Sequence, residues 1–488
     1  MKGDFTRFGF DPSKHYSRVL QQQGRVALDA DSNLSAAVLL HHLRALTRDL
    51  YGEFGGPASS GFSLALDTSA SPSLLWISPG HYYVDGILCE NEQWVDYASQ
   101  PDHAVEAPDA NGNGGDALLA WLRSPTQQKS FWLILDVWEH HLTWIEDESI
   151  REPALGGPDT TTRAKVVWQV KALEWDPQWG SASSGKACGM APPPDALGSA
   201  RMGAQVDPGP AFADPCVIAP GAQYCGTENH LYRIEVHTGG GANTATFKWS
   251  RDNGSVATRW LGVGNDANAL IVKSSRGFAA GDWVELSHDA LDLAGLPGPL
   301  VRLSVVEGDQ LTVDPGSIPA DALAWSAALS NPKVRRWDQR ANDVVGLRDG
   351  AVPVTESAET GALWIDIEDG LQIAFVGGGA YRSGDYWLVT ARVATQGIEW
   401  PLEDGQPAFL APQGIVHAYA PLGVLWFNSD NVEIEHCRRC VDLTQTTCSL
   451  PTAPARAPER AAVGAKTPKS TPAAQAKAAL KPKRRGPA

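Results

Sequence analysis

Methionine is scarce, at 3 in 488 residues, and no stretch approaches the roughly 20 uninterrupted apolar residues that span a bilayer. A membrane-spanning helix is therefore not expected. The opening MKGDFTRFGFDPSKHY carries charges and a proline but no apolar segment, so no secretory leader is expected and synthesis is placed in the cytoplasm. Nucleophile and phosphate-binding motifs are missing as well: there is no GxSxG, no Walker loop and no HExxH. Gly239-Gly240-Gly241 and Gly377-Gly378-Gly379 are followed by neither Lys-Ser nor a helix pattern, so they read as turns. No fixed-period repeat runs through the chain, which argues against a propeller or solenoid. Cysteines number seven, an odd count that does not suit a disulfide scaffold and suits a reduced cytosolic chain. None of these absences leaves a reason to expect an enzyme or a cofactor.

What is present is turn-forming and aromatic. Gly 48, Pro 34 and Trp 18 favour short strands joined by tight turns. Hydrophobic residues at 43% against 20% charged mark a globular bulk, and the length suits several domains. The net charge of −16 is unevenly spread: residues 451–488 hold nine Lys or Arg against the single Glu459, a net of +8, which leaves −24 on the preceding 450. An acidic body opposes nucleic-acid binding. The basic tail suits an anionic partner or free solvation.

The chain divides by pattern. Residues 1–56 read as an extended arm with short strands near Val19-Leu20 and 26–28, then an amphipathic helix over 34–51, where Leu34, Val38, Leu39, Leu43, Leu46 and Leu50 recur every three or four residues. The run Asp29-Ala30-Asp31-Ser32-Asn33 supplies N-cap chemistry. It also opens like a calcium loop, but Leu34 and Leu40 stand where that loop needs glycine and glutamate. Residues 57–180 read as a first β domain, with strands at 74–77, 81–88, 131–144 and 165–173. Residues 181–227 are a Gly/Pro-rich connector. Residues 228–335 form a second β domain, a glycine-linked hairpin (231–237 and 245–249) followed by a small barrel or sandwich. Residues 336–448 are a third β region, and 449–488, poor in large apolar groups, are expected to be disordered. The fold class is mainly β: several small sandwich- or barrel-like modules, one N-terminal helix and a disordered tail.

Few groups suggest chemistry. His436, Cys437, Cys440 and Cys448 have metal-like spacing, but a tetrahedral site needs a second ligand pair and none lies nearby, so no metal is assigned. Glu139-His140-His141 lies in a strand, where adjacent side chains point to opposite faces, so one histidine is expected outside and one inside. Asp366 and Glu368 share a strand face and offer the only hint of a glycosidase carboxylate pair. For association the arm offers Phe5, Phe8, Phe10, Tyr16 and Leu20.

The opening MKGDFTRFGFDPSKHYSRVLQQQGRVALDAD, with HYYVDGILCEN (81–91), GGPDTTTRAKVVWQVK (156–171), CGTENHLYRIEVH (225–237), ATFKWSRDNGSV (245–256), FAAGDWVELSHD (278–289) and YRSGDYWLVTARVAT (381–395), resembles a bacterial family, a domain of unknown function, whose genes accompany contractile phage-tail-like injection systems. The resemblance spans about residues 1–445 and leaves out the tail. It implies a non-enzymatic structural or interaction component at a baseplate, fibre or cap, docking on other particle subunits through its arm and released from the cell with the particle. Tryptophan richness gives the alternative of a module that binds surface glycans, and the carboxylate pair a second alternative, a glycan hydrolase. The arm is expected to be separable from a body that folds without it.

Overall fold

The computed structural model describes residues 1–57, 61–70, 72–103, 115–123, 129–176, 188, 197–208, 223–266, 268–319, 324–340, 346–359, 361–428 and 431–441. The expected disordered tail, 449–488, lies outside them. Residues 1–451 form one compact unit, mainly β.

The long strand Ser130–Leu142 (SFWLILDVWEHHL) sets up the first layer. Alternate side chains Phe131, Leu133, Leu135 and Val137 are buried on one face, as period-2 patterning demands. It pairs antiparallel with Arg163–Glu174 on one side and Ala418–Asn428 on the other, and Asn431–His436 closes that edge. Two smaller sheets cover the apolar face. One joins Cys440–Val441, Phe54–Pro57, Gly80–Val84 and Ile87–Asn91, and the other Leu64–Asp67, Leu74–Ile77 and Val95–Asp96. Phe62, Tyr82, Tyr97 and Trp168 fill the space between.

A middle unit lies inside that sequence. His230–Thr238 and Thr246–Ser250 form the expected glycine-linked hairpin, and Tyr386–Arg392 adds to its other side. A second sheet pairs Leu371–Val376 with Arg201–Val206, Ile365–Glu368 and Glu356–Ser357. Inside the middle unit lies a closed six-stranded barrel over residues 257–337, ordered Ala257–Val263, Ala269–Val272, Gln310–Val313, Leu300–Glu307, Trp283–Ser287 and Lys333–Trp337. Closure removes free edges.

The units are thus nested: barrel within middle unit, middle unit within outer unit. This corrects the linear division. Residues 336–448 are not a separate third region, because 352–410 complete the middle unit and 418–441 complete the outer one. The connector 181–227 contains a six-residue strand and the buried Tyr224. The expected strand 81–88 is a hairpin whose turn residues Asp85 and Gly86 both have positive φ, the geometry Asp-Gly favours between paired strands.

The helix α1 runs Asp29–Tyr51, five residues earlier than its periodicity suggests. Leu28 is its N-cap, without a side-chain cap, and Asp29 and Asp31 occupy the first turn, where carboxylates oppose the positive end of the helix dipole. The calcium-loop pattern is therefore helical backbone. No strand forms at 19–20 or 26–28.

Buried ion pairs tie the nested units together. Lys248 of the middle hairpin reaches Glu285 of the barrel at 2.7 Å and Glu235 of its own sheet at 3.4 Å, and its ammonium lies over the Trp337 ring. Lys333 of the barrel bonds Asp292 at 2.7 Å and also Glu146 of the outer unit. Removing one member of a buried pair strands its partner's charge. Lys248→Met is therefore expected to cost about 3–5 kcal/mol in urea denaturation, whereas Lys165→Met, which breaks a surface pair with Asp102, should cost under about 1 kcal/mol.

Candidate functional site

The even-numbered residues of Ser130–Leu142 point away from the apolar core. Trp132 and Ile134 pack into a small cluster with Trp175 and Val424, but the next two positions are Asp136 and Trp138. Asp136 is fully buried. It accepts from Lys171 Nζ at 2.6 Å and lies 2.7 Å from His417 Nδ1. The imidazole packs on Trp138, centroids 4.6 Å apart, and is nearly parallel to the Tyr419 ring at 6.1 Å. When Nδ1–H donates to the carboxylate, Nε2 is left as an acceptor, the arrangement a general base requires. His417 and Lys171 line a cleft of about 310 Å³ together with Arg382, Ser383 and Asp385 of the middle unit.

A second cavity, of about 510 Å³, opens where the three units meet. Glu139, His140, His141 and Glu146 reach it from the outer sheet, Arg233, Glu235 and Tyr386 from the middle unit, and Glu285, Asp292, Lys333 and Arg335 from the barrel. The charges are mutually compensated. Burial alone would raise the Glu235 carboxyl, but Lys2, Arg233 and Lys248 outweigh it and hold it well below the usual carboxylate range. Glu285 follows the same balance, with burial opposed mainly by Lys248, and falls to about 2. Lys333 is destabilised by burial yet held above its ordinary value by Asp292 and Glu146.

The arm enters this cavity. Lys2 Nζ bonds Glu235 at 2.9 Å, and the Gly3 carbonyl accepts from Asn253 Nδ2 at 2.9 Å. Thr6 N–H donates to Asp29 of α1 at 2.9 Å, and the Thr6 carbonyl accepts from Arg392 at 3.0 Å. Residues 1–3 therefore join the interior network, and Thr6 fastens the chain to α1 and Arg392 at the surface, so the root of the expected arm is packed on the body. Beyond that root the chain lies at the surface. Phe5 is half-buried against Phe8 and His141, whereas Phe8, Phe10, Tyr16 and Leu20 are exposed, Leu20 by 70%.

His140 and His141 are both half-buried and line the same cavity, so neither is the exposed member expected from strand alternation. The arm's Phe5 covers His141 and the barrel's charges face His140. Burial lowers both, His141 to about 3.

Cys437 is disulfide-bonded to Cys188, 249 residues away, and Cys440 is also disulfide-bonded. This takes both sulfurs out of the metal pattern and corrects the reading of reduced thiols; the separation explains why spacing could not reveal the pair. His436 is half-buried beside them, and Cys448 lies outside the described residues. Among the described residues no three His, Cys, Asp or Glu side chains gather as a metal set. Asp366 bonds Gln372 at 2.8 Å and Glu368 pairs with Arg251 at 2.8 Å, across an irregularity in the strand. The two carboxylates are thus committed to separate partners. No described tryptophan is exposed.

These features define a mainly β body of nested sheets and barrel around a charged interior. The chain belongs to a family of unknown function, DUF6519, whose model matches residues 1–181 and 195–487, so the match runs through the basic tail that the resemblance had left out. No curated protein and no solved structure matches it.

Sequence reasoning passed over Asp136, Lys171, Glu235, Lys248, Glu285, Lys333 and His417. Most carry one shared signal, a charge enclosed by apolar strand residues, as in LILDVW, TFKWS and WVELS.

Acid should loosen this interior. His237 is held neutral by burial, lowered to about 4. Between pH 6.5 and 4 the unfolded chain binds more protons at this site, so stability falls as pH falls through that window. Glu285 stabilises the fold above pH 4.5 and loses that contribution toward about 2. Thermal unfolding is expected to show Tm decreasing from pH 6.5 downward and steeply below 4.5, with His237→Phe flattening the upper part. The pair Cys188→Ser and Cys437→Ser should cost about 2–5 kcal/mol, the usual effect of removing a native disulfide, read as a lower Tm, and dithiothreitol, which also reduces the Cys440 bond, should lower the Tm at least as far.

Proposed function

We propose that this chain is a non-enzymatic structural or interaction component of a contractile, phage-tail-like particle, docking on neighbouring subunits through its N-terminal arm. The observation that carries the reading is the contrast along the arm. Residues 1–7 are stitched into the body, while Phe8, Phe10, Tyr16, Leu20, Val26 and Leu28 follow as a run of apolar side chains 39–83% exposed. Contiguous exposed apolar surface marks an interaction site, and an extended segment offers both side-chain anchors and unpaired backbone groups for strand addition. The link to a tail-like particle rests on the sequence resemblance of the blocks named above. The buried ion network and the Cys188–Cys437 bond suit a part that must keep its shape under load. The basic tail fits an anionic partner, such as the acidic body of a neighbouring subunit.

A second reading, a surface-glycan site or glycan hydrolase, draws on the His417 cleft rather than on Asp366, Glu368 or the packed tryptophans. An imidazole oriented by a buried carboxylate beside Lys171 is a polar site of the kind small ligands use. Glycan-array binding that His417→Ala abolishes would favour it.

The test of the leading reading is the double variant Phe8→Ser and Phe10→Ser, both exposed and outside the stitched root. Co-sedimentation with particles should drop at least tenfold while the Tm stays unchanged. Undiminished co-sedimentation would remove the arm's role.

A further inference from the structure

The helix α1 shows the body one face and turns another outward. Ala30 and Val38 are buried, Arg44 and Arg48 pair with Glu139 and Asp85 at 3.0 and 2.9 Å, and Tyr51 stacks on Tyr83 at 4.8 Å. On the far side Leu39, Leu43, Leu46 and Leu50 are 62, 52, 57 and 56% exposed. Their spacing of four, three and four residues is the a/d repeat of a coiled-coil seam. At 3.6 residues per turn the seam points about 150° away from the line through Leu34, Val38 and Arg48. A core-facing stripe belongs on the body side of a surface helix. This helix has a second one with nothing on it among the described residues.

We propose that this leucine seam pairs two copies of the chain through an antiparallel contact between their α1 helices. The seam is self-complementary about a two-fold axis between Arg44 and Ala45. Leu39 then meets Leu50 of the second copy, and Leu43 meets Leu46 of the second copy. Two-fold contacts of this kind close on themselves. The rims agree. His42 and Asp49 occupy the same flanking position one heptad apart, and an antiparallel pairing sets each imidazole beside the second copy's carboxylate, twice per pair. A parallel pairing would instead place His42 against Thr47 and leave Asp49 past the end of the helix. Because the seam faces away from the body, the two bodies lie on opposite sides of the helix pair. The contact uses no residue of the exposed arm, so it stands or falls apart from the docking reading.

Sedimentation-equilibrium measurements on the full chain across a concentration series test it. The expected result is a monomer–dimer equilibrium whose association constant drops at least tenfold in Leu43→Glu and Leu46→Glu, with the Tm unchanged at concentrations too low for association, where both side chains are exposed. A chain that stays monomeric throughout, or a dimer indifferent to both substitutions, overturns the proposal. Cysteine cross-linking in a Cys225→Ser background fixes direction: Leu43→Cys mixed with Leu46→Cys should give a heterodisulfide dimer. Leu43→Cys cross-linking efficiently to itself would overturn the antiparallel arrangement. A dimer that fails to co-sediment with particles counts against the arm alone, and a monomer that co-sediments counts against the seam alone.

Discussion

Lys248 bridges two carboxylates from two different units, Glu235 in the middle sheet and Glu285 in the barrel, at 1% side-chain exposure. A lone ammonium in such a place would carry a prohibitive desolvation cost. Each of these carboxylates has further help: Arg233 and Lys2 on Glu235, the Trp337 indole N–H at 2.9 Å and the Gly298 N–H at 3.0 Å on Glu285. Apolar packing tolerates sliding, whereas a hydrogen-bonded ion cluster is satisfied in one register only. The barrel cannot rotate against the hairpin without stranding a charge. Lys333 repeats the device between barrel and outer unit.

That constraint explains the arm. Lys2 supplies one of the cations Glu235 requires, so the first residues of the chain take part in the junction. The segment that follows is released to the surface with its aromatics outward. One stretch of sequence thus does two jobs, separated near Arg7: inward closure and outward display. The helix α1, which receives Thr6 through Asp29 and grips the first hairpin through Arg48, continues the display side.

How far the sequence announces this depends on whether the cause is local. Apolar runs bounded by turn residues made the strands at 131–144 and 231–237 readable, and the barrel from 257 to 337 was half visible because its strands follow one another with short turns. The helix was legible from its leucines but began earlier, since Asp29 is held by a distant threonine rather than by a cap of its own. Nesting was not legible: Ser130–Leu142 pairs with a strand that begins at residue 418, and nothing local records such a partner. The same distance hid Cys188 from Cys437. Trp138 lies in Ser130–Leu142 and His417 immediately before Ala418–Asn428, so their cleft has no linear motif. Lone charges within apolar strands were visible, but only the topology says which opposite charge each one meets.

Nesting also orders events during synthesis. The barrel is the one unit made of an unbroken run, so it can close while the ribosome is still adding the rest. The outer sheet cannot. Ser130–Leu142 gains Arg163–Glu174 early, yet its other edge stays open until Ala418–Asn428 emerges more than two hundred residues later. Throughout that interval the growing polypeptide presents a thirteen-residue strand, apolar over 131–135, with unpaired amides along one edge, a template for pairing with a neighbour on the same messenger. Translation rate and chaperone capacity should therefore govern the yield of this protein more than its final stability does.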